Sequence, residues 1–351
     1  MDGLKINDLL KVYEAEIRKN VKHKKKLVKF ERNKFSRIIA IYETLQAGNY
    51  HIKNYSIFLI YEPKCRIIMS LNMEDKIINH YVTRYILMPK LEKYLDYRNV
   101  ATRKNMGSDY AIRLAKKYLE EMKKNDEFYV LKLDISKYFY SIDHEVLKNF
   151  LKKNLTDKEY EIVNNIIDST NENYINETIT SFKRDDLPYY VKGKGLPIGN
   201  MTSQFLSIFY LSFLDHYIIH DLHLTKMIRY MDDYIIFHKD KEYLKECLFK
   251  IMEKLDKEFK LKCNLKKTKI VKASQGFVFL GYHFKVVKKK TIVKIRSETR
   301  KKIYKTIKRC YKNYEQNNFM YFYSVMNNYC YSFKYDKQNK LKDKIICYMV
   351  L

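Results

Sequence analysis

Apolar residues recur along this chain at two spacings, and each spacing predicts its own kind of element. Repeats three or four apart predict amphipathic helices over 73–96 and 109–125, a helical stretch near 144–170, a long apolar helix over 201–220 and a further helix over 241–259. A basic helix is expected from Arg18 to Lys34, and a helix followed by a hairpin over 39–67. Runs of β-branched and aromatic residues predict strands instead. The strongest of them, Phe128-Tyr129-Val130-Leu131-Lys132-Leu133, stops at Asp134, and shorter ones cover Val278 to Phe284 and Thr291 to Ile295. Met227 to Tyr230 and Tyr234 to His238 flank a two-aspartate turn, which predicts a tight hairpin with Asp232 and Asp233 at its tip. Residues 285–351 read as a mainly helical tail. With four prolines, eight glycines and no Gly/Ser linker, the elements must pack as continuous subdomains. The mixture is α+β, and 351 residues suit two or three subdomains.

Charge changes this picture more than composition does. Hydrophobic residues make up 46% of the chain and aromatics 15%, which is ample for a core and argues against disorder. The formal net charge is +28, from 69 Lys plus Arg against 41 Asp plus Glu, so the expected partner is the phosphate backbone of a nucleic acid. Nine cations lie between Arg18 and Lys34 against one acid, Glu31. Another 18 lie within 285–351 against Glu298, Glu315, Asp336 and Asp343, a local net of +14. The first cluster suits phosphate contact, with a solvated helix face as the competing reading; the second suits a duplex-gripping element. No run approaches the ~20 apolar residues of a membrane span. The start, Met1-Asp2-Gly3-Leu4-Lys5, has no signal-peptide core, so no membrane partner is expected. Six cysteines (Cys65, Cys247, Cys263, Cys310, Cys330, Cys347) form no C-x-x-C pair, which argues against zinc and disulfides and for free thiols in a reducing cytoplasm. The nine histidines show no H-E-x-x-H spacing, so any essential metal is expected on oxygen ligands.

That leaves the carboxylates. An isolated Asp-Asp turn is common, because aspartate side chains bond to nearby backbone. Phosphoryl transfer to a primer 3′-hydroxyl asks for more: two divalent cations, and carboxylate oxygens from more than one place in the chain to hold them. Asp134, at the end of its strand, is a second source beside Asp232 and Asp233, and a strand-end aspartate together with hairpin aspartates is a rarer coincidence than either alone. Asp143 reads differently, as the N-cap of a helix starting near His144.

The order of motifs resembles that of reverse transcriptases: LKLDISKYFYSID (131–143), GLPIGNMTSQFLS (195–207), RYMDDYIIF (229–237), NLKKTKI (264–270) and FVFLGYHF (277–284). With the stretch from Lys24 through Ala111, the likeness spans nearly the whole chain. It implies a right-hand polymerase whose palm is an antiparallel sheet with helices on one face. The expected subdomains are an N-terminal basic helix and fingers over 1–125, a palm over 126–284 with part of the fingers inserted near 150–195, and a basic helical thumb over 285–351. The resemblance implies Asp134 and Asp232 as principal ligands of two Mg2+ ions, with Mn2+ as the alternative, and Asp233 as their support. Phe139 falls where an aromatic ring excludes a 2′-hydroxyl, which implies dNTP substrates; a core aromatic is the other reading. Arg66 falls where a guanidinium meets the triphosphate. Arg103 and Lys104 match a second basic motif, or a solvated loop. Lys267 resembles the lysine that protonates departing pyrophosphate, with Lys266 as its rival. Gly281 matches the primer-gripping hairpin, or a simple turn glycine.

The segment Ile198-Gly199-Asn200, closing with Ser203-Gln204, separates subfamilies. Its pattern G-L-P-I-G-N-x-T-S-Q is similar to reverse transcriptases of diversity-generating retroelements, as is KFERNKF...LQAGNY...FLIYEPKCRII. An alkyl side chain at Ile198 replaces an amide, and discrimination built on polar contacts weakens without them. Ile198, Gly199 and Gln204 are therefore expected at the nucleotide, and fidelity is expected to be low. The implied partners are a template RNA, a primer with its growing cDNA, a structured noncoding RNA and a small basic accessory protein, all in the bacterial cytoplasm. No RNase H, maturase or endonuclease domain is expected. Two alternatives stand beside this reading, a defence-associated reverse transcriptase and a catalytically silent RNA-binding protein on the same fold.

Overall fold

The computed structural model describes residues 3–21, 23–61, 64–124, 127–312, 324–327 and 333–336. Lys22, Glu62, Pro63, Glu315, Cys330, Asp343, Cys347 and most of the expected helical tail beyond Lys312 lie outside the described residues. Cys65, Cys247, Cys263 and Cys310 are free thiols.

The N-terminal third is helical with one hairpin. Helices α1 (Ile6–Val12), α2 (Lys24–Glu31) and α3 (Lys34–Ala47) precede strands β1 (Ser56–Ile60) and β2 (Arg66–Ser70). The single basic helix expected over 18–34 is broken. Arg18 bonds Glu31 at 2.8 Å, although thirteen residues of straight helix would hold them ~20 Å apart. Like charges three and four residues apart also disfavour one continuous helix. Helix α4 (Met73–Tyr81) is capped by the Asn72 side chain and runs through a wide turn at Val82–Leu87 into α5 (Met88–Leu91). Next come α6 (Ser108–Met122) and β3 (Tyr129–Asp134).

The middle of the chain adds α7 (Tyr138–Ser141), α8 (His144–Lys152), α9 (Asp157–Asp168), α10 (Asn173–Ser181), α11 (Met201–Tyr210) and α12 (Ser212–His216). Asp143 caps α8, its side chain accepting from the Val146 N–H. The expected 201–220 helix is interrupted at Leu211, where the Ser212 hydroxyl donates to the Phe209 carbonyl and competes with the helical ladder. Strands β4 (Met227–Tyr230) and β5 (Asp233–His238), helix α13 (Lys241–Phe259) and strand β6 (Lys269–Lys272) follow. Val278–Phe284 is not one strand: β7 (Phe277–Phe279) and β8 (Tyr282–Val287) form a hairpin that β9 (Lys290–Ile295) extends, and α14 (Ser297–Lys312) comes after it. The stretch from 285 thus starts as strand, not helix.

The antiparallel order β4-β5-β3-β6 makes the central sheet. Its two faces are legible from strand parity. Leu131, Leu133, Tyr234 and Ile236 point into a large core shared with α1, α3, α4, α8, α9, α11 and α13. Val130, Ile235 and Phe237 point the other way, against α6 and the β7-β8 hairpin. Helices dominate one face as expected, and the second face is closed too, by one helix and a small sheet. Asp134 belongs to this second set, at the end of the ladder where packing stops.

Candidate active site

Asp134 ends β3, Asp233 begins β5, and the register pairs them directly. Tyr230 pairs with Asp233 across the hairpin, so the loop between β4 and β5 is only Met231 and Asp232. The expected tip is thereby shifted by one residue: Asp232 is in the turn and Asp233 is the first residue of the ladder. Met231 takes φ +57°, a region that non-glycine residues occupy at a cost. Burial raises the pKa of Asp232, with the charge of Asp134 adding and Lys267 and Arg66 opposing. Asp233 is pushed up to about 6, by burial first, with Asp232 and Asp134 adding and Lys132 opposing. Its Oδ1 is buried without a hydrogen-bond partner.

Cations answer these charges. Lys267 Nζ donates to both carboxylate oxygens of Asp134 at 2.9 Å. The loop that carries it is stapled to β3: the Asn264 N–H donates to the Asp134 carbonyl at 2.8 Å, and the Asn264 carbonyl accepts from Lys267 and Thr268. Of the two candidate lysines, both exposed, Lys267 is the one that the structure pairs with Asp134. Lys132 Nζ lies 3.4 Å from Asp233 Oδ2 and donates to the Val278 carbonyl at 3.0 Å, tying the β7-β8 hairpin to the carboxylates.

Arg66 is exposed at the start of β2, and its charge acts on Asp232 and on Tyr140. The hairpin that bears it is joined to the glycine-rich segment by backbone, the Met69 N–H donating to the Ile198 carbonyl at 2.9 Å. Gly199 follows at φ +123°, where a Cβ would lie 3.1 Å from the Met69 carbonyl oxygen and 3.2 Å from Ile68 Cγ2. Phe139, half-buried on α7, receives the Leu196 N–H on its carbonyl at 2.7 Å. The segment 193–199 therefore bridges the neighbourhood of Phe139 to the hairpin of Arg66. Gln204 is exposed on the first turn of α11.

A family model described as "Reverse transcriptase (RNA-dependent DNA polymerase)" matches residues 52–284, more than half of the chain. The chain belongs to the reverse transcriptase family. Its helices and antiparallel sheets form the right-hand polymerase fold. Among solved structures it is similar to an apo telomerase from Candida tropicalis truncated from its C-terminal domain, at 16% identity and a TM-score of 0.49. That match covers 70% of this chain, which spans only 55% of the telomerase chain. Comparison with curated proteins gives no match.

Reverse transcriptases work with divalent metal ions, and the donor set of this one fits such an ion. Asp134, Asp232 and Asp233 offer hard oxygen donors, and the buried Asp233 Oδ1 has a lone pair to give. Among the described residues no three Asp, Glu, His or Cys side chains close into a metal cage by themselves. No described helix is long and apolar enough to cross a membrane.

Two expected site residues also have local structural roles. Arg103 braces its own loop, its Nη1 donating to the carbonyls of Asp96 at 2.7 Å and Asn99 at 3.2 Å. Its neighbour Lys104 is exposed. Gly281 pairs with Leu280 in a two-residue turn in which both residues have positive φ, and nothing lies within 4 Å of its missing Cβ. Such a turn calls for residues that tolerate positive φ. Sequence reasoning missed Lys132, although a lysine two residues before a strand-end aspartate must share its face. It also missed Arg229 and Asp215, ionised types set in the apolar runs Met227-Ile228-Arg229 and Phe213-Leu214-Asp215.

Proposed function

We propose that this reverse transcriptase polymerises DNA on an RNA template at Asp134, Asp232 and Asp233. The observation that carries the reading is the in-register pairing of Asp134 with Asp233, with Asp232 in the adjoining turn and Lys267 on Asp134. Two bound Mg2+ ions, held by Asp134, Asp232 and Asp233, would make the attacking 3′-hydroxyl more acidic and steady the triphosphate. The chain's own groups do the rest. Arg66 holds the triphosphate by its planar fork. Phe139 lies under the sugar and excludes a 2′-hydroxyl. Lys267 carries the proton that its Nζ delivers to departing pyrophosphate. Lys132 holds Asp233 against the hairpin that steadies the primer end, and the cations of 285–351 hold the duplex through its phosphates.

We further infer low fidelity and membership of a diversity-generating retroelement, in a bacterial cytoplasm, with a structured noncoding RNA and a small basic accessory protein as partners. The support is Ile198-Gly199-Asn200 and Ser203-Gln204: Ile198 has no side-chain amide with which to read a nucleotide, and its carbonyl is already bound to Met69. Primer extension on an RNA template with dNTPs tests the activity, with Asp232→Asn as control; a wild-type chain that binds RNA and incorporates no dNTP leaves the silent binding module standing. Sequencing the copurifying RNA and the cDNA tests the role. Variable-protein repeats as template, with errors concentrated at template adenines, fit diversification. A lone structured RNA copied with an even, low error spectrum fits defence.

A further inference from the structure

Beneath the catalytic turn lies an ion pair with no solvent contact. Arg229 on β4 and Asp215 on α12 are both fully buried. Arg229 Nε donates to Asp215 Oδ1 at 2.8 Å and Oδ2 at 2.9 Å, and Nη2 donates to Oδ2 at 2.5 Å. The Tyr234 hydroxyl donates to Asp215 Oδ1 at 2.9 Å. A buried ion pair is a weak device for stability alone, because well-packed apolar residues of similar volume often serve a core as well or better. What apolar residues cannot do is donate hydrogen bonds, and Arg229 has donors to spare. Its Nη1 reaches the Met231 carbonyl at 3.1 Å, and its Nη2 reaches the Ile208 carbonyl at 2.9 Å.

The Met231 carbonyl belongs to the same planar peptide as the Asp232 N–H. Holding that oxygen fixes the peptide plane from which Asp232 projects, and it does so where Met231 is strained at φ +57°. Ile208 lies on α11, the helix that begins just after Gly199 and Asn200 and carries Gln204. One side chain therefore spans the turn bearing Asp232 and the helix following the glycine-rich segment, and Asp215 with Tyr234 fixes its orientation. The backbone of Arg229 is held as well, its N–H donating to the Arg98 carbonyl at 2.9 Å and its carbonyl accepting from Val100 at 3.0 Å.

We propose that Arg229, oriented by Asp215, is a positioning residue that holds the Met231–Asp232 peptide in its productive orientation relative to α11. The proposal rests on the reading of Asp232 as a catalytic carboxylate. The decisive variant is the double substitution Arg229→Met with Asp215→Leu in the full chain. It removes both charges together, so no buried ion is left unpaired. The expected result is a melting temperature near that of the wild type, primer–template affinity and dNTP KM within about twofold, and kcat lower by ~100-fold, the scale that a misplacement of about 1 Å costs. A folded double variant with wild-type kcat overturns the proposal, since a pair that serves only the core has then been replaced without loss. Should the double variant not fold, Arg229→Lys decides. Lysine keeps the charge opposite Asp215, and its single head cannot span both carboxylate oxygens and two carbonyls. A fall in kcat with KM held supports positioning, and unchanged kcat overturns it. A wild-type chain without polymerase activity sinks the functional reading instead, so the two failures are told apart.

Discussion

Asp134 and Asp233 are paired on adjacent central strands of a four-stranded sheet, while Arg66 stands at the start of a strand in a two-stranded hairpin. The carboxylates are fixed by strand register, by Lys267 and Lys132, and from below by Arg229. The hairpin packs its inner face, Ile67 and Met69, on a small core with Ile175, Ile179 and Tyr190. Its outer face leaves Phe58 and Ile60 exposed beside Arg66. Toward the palm it meets Ile198 and Gly199 in a backbone contact too close for a side chain, and Tyr140 packs on its core. The region read as catalytic is thus held by many redundant bonds, and the region read as substrate-selecting by few. Redundancy suits groups that must sit within a fraction of an ångström for chemistry. A hairpin resting on a small core and a glycine seam suits an arm that closes over a substrate and reopens.

The largest break is expected at the carboxylates. Asp134→Asn and Asp232→Asn should each lower kcat by roughly 1,000-fold or more, as the loss of several kcal/mol of transition-state charge stabilisation implies. RNA binding, measured by filter retention, should stay near wild type. A residual rate within tenfold of wild type in either variant would falsify the roles given to these residues.

The seam should break next. Gly199→Ala forces a Cβ to within 3.1 Å of the Met69 carbonyl at a φ that alanine disfavours, a strain of about 1–3 kcal/mol. Because the seam links Arg66 to the segment 193–199, the dNTP KM should rise about tenfold, with kcat falling less. Single-nucleotide incorporation kinetics read this split. Equal losses in kcat and kcat/KM would mean that the seam belongs to the catalytic frame, and the contrast drawn above would fail.

A pH series sharpens the same contrast from the catalytic side. Asp233 is pushed up to about 6, so it is largely protonated at pH 5 and ionised at pH 7. In the metal-free chain this proton competes with the cation, so activity at limiting divalent metal should rise through pH 6. Stability moves the opposite way. The folded state binds this proton more tightly than the unfolded chain does, so the contribution is most favourable below pH ~4 and is lost as pH climbs toward 6. Lys132→Met removes the cation that opposes the rise, and it should move the acid limb of the kcat profile upward by on the order of one pH unit. An acid limb that stays put in this variant would disconnect Lys132 from Asp233.

Much of this was legible without coordinates. The strand-end aspartate, the hairpin, α13 over 241–259 and the Asp143 cap follow from periodicity and capping chemistry, which act locally. What was not legible depends on distant partners. The break of the basic helix is bound up with the Arg18–Glu31 bond, and the use of Arg103 as a loop brace depends on the carbonyls of Asp96 and Asn99. Two-residue turns displaced Asp232 from Asp233 and split Val278–Phe284, because a register shift of one residue is invisible to a period-two pattern until both strands are paired. Arg229 was hidden for a related reason: a cation in an apolar run gives no sign of its partner until the fold brings Asp215 to it.

The smallest effect is expected at Asp143, which lies on the stretch between the two regions and tests whether proximity alone makes a carboxylate catalytic. Its side chain accepts from the Val146 N–H at 3.2 Å and pairs with Lys260 at 3.2 Å, a lysine that is largely exposed. Asp143→Ala therefore removes a cap and leaves no buried charge unpaired. The expected loss is about 1 kcal/mol of stability, a fall of about 1–2 °C in melting temperature for a chain of this size, with kcat and dNTP KM unchanged. Asp143→Asn should recover the lost stability, because asparagine caps as well as aspartate does. If both variants instead lost activity on the scale of Asp232→Asn, the metal-bearing set would extend beyond the β3–β5 register, and strand pairing would no longer explain which carboxylates do the chemistry.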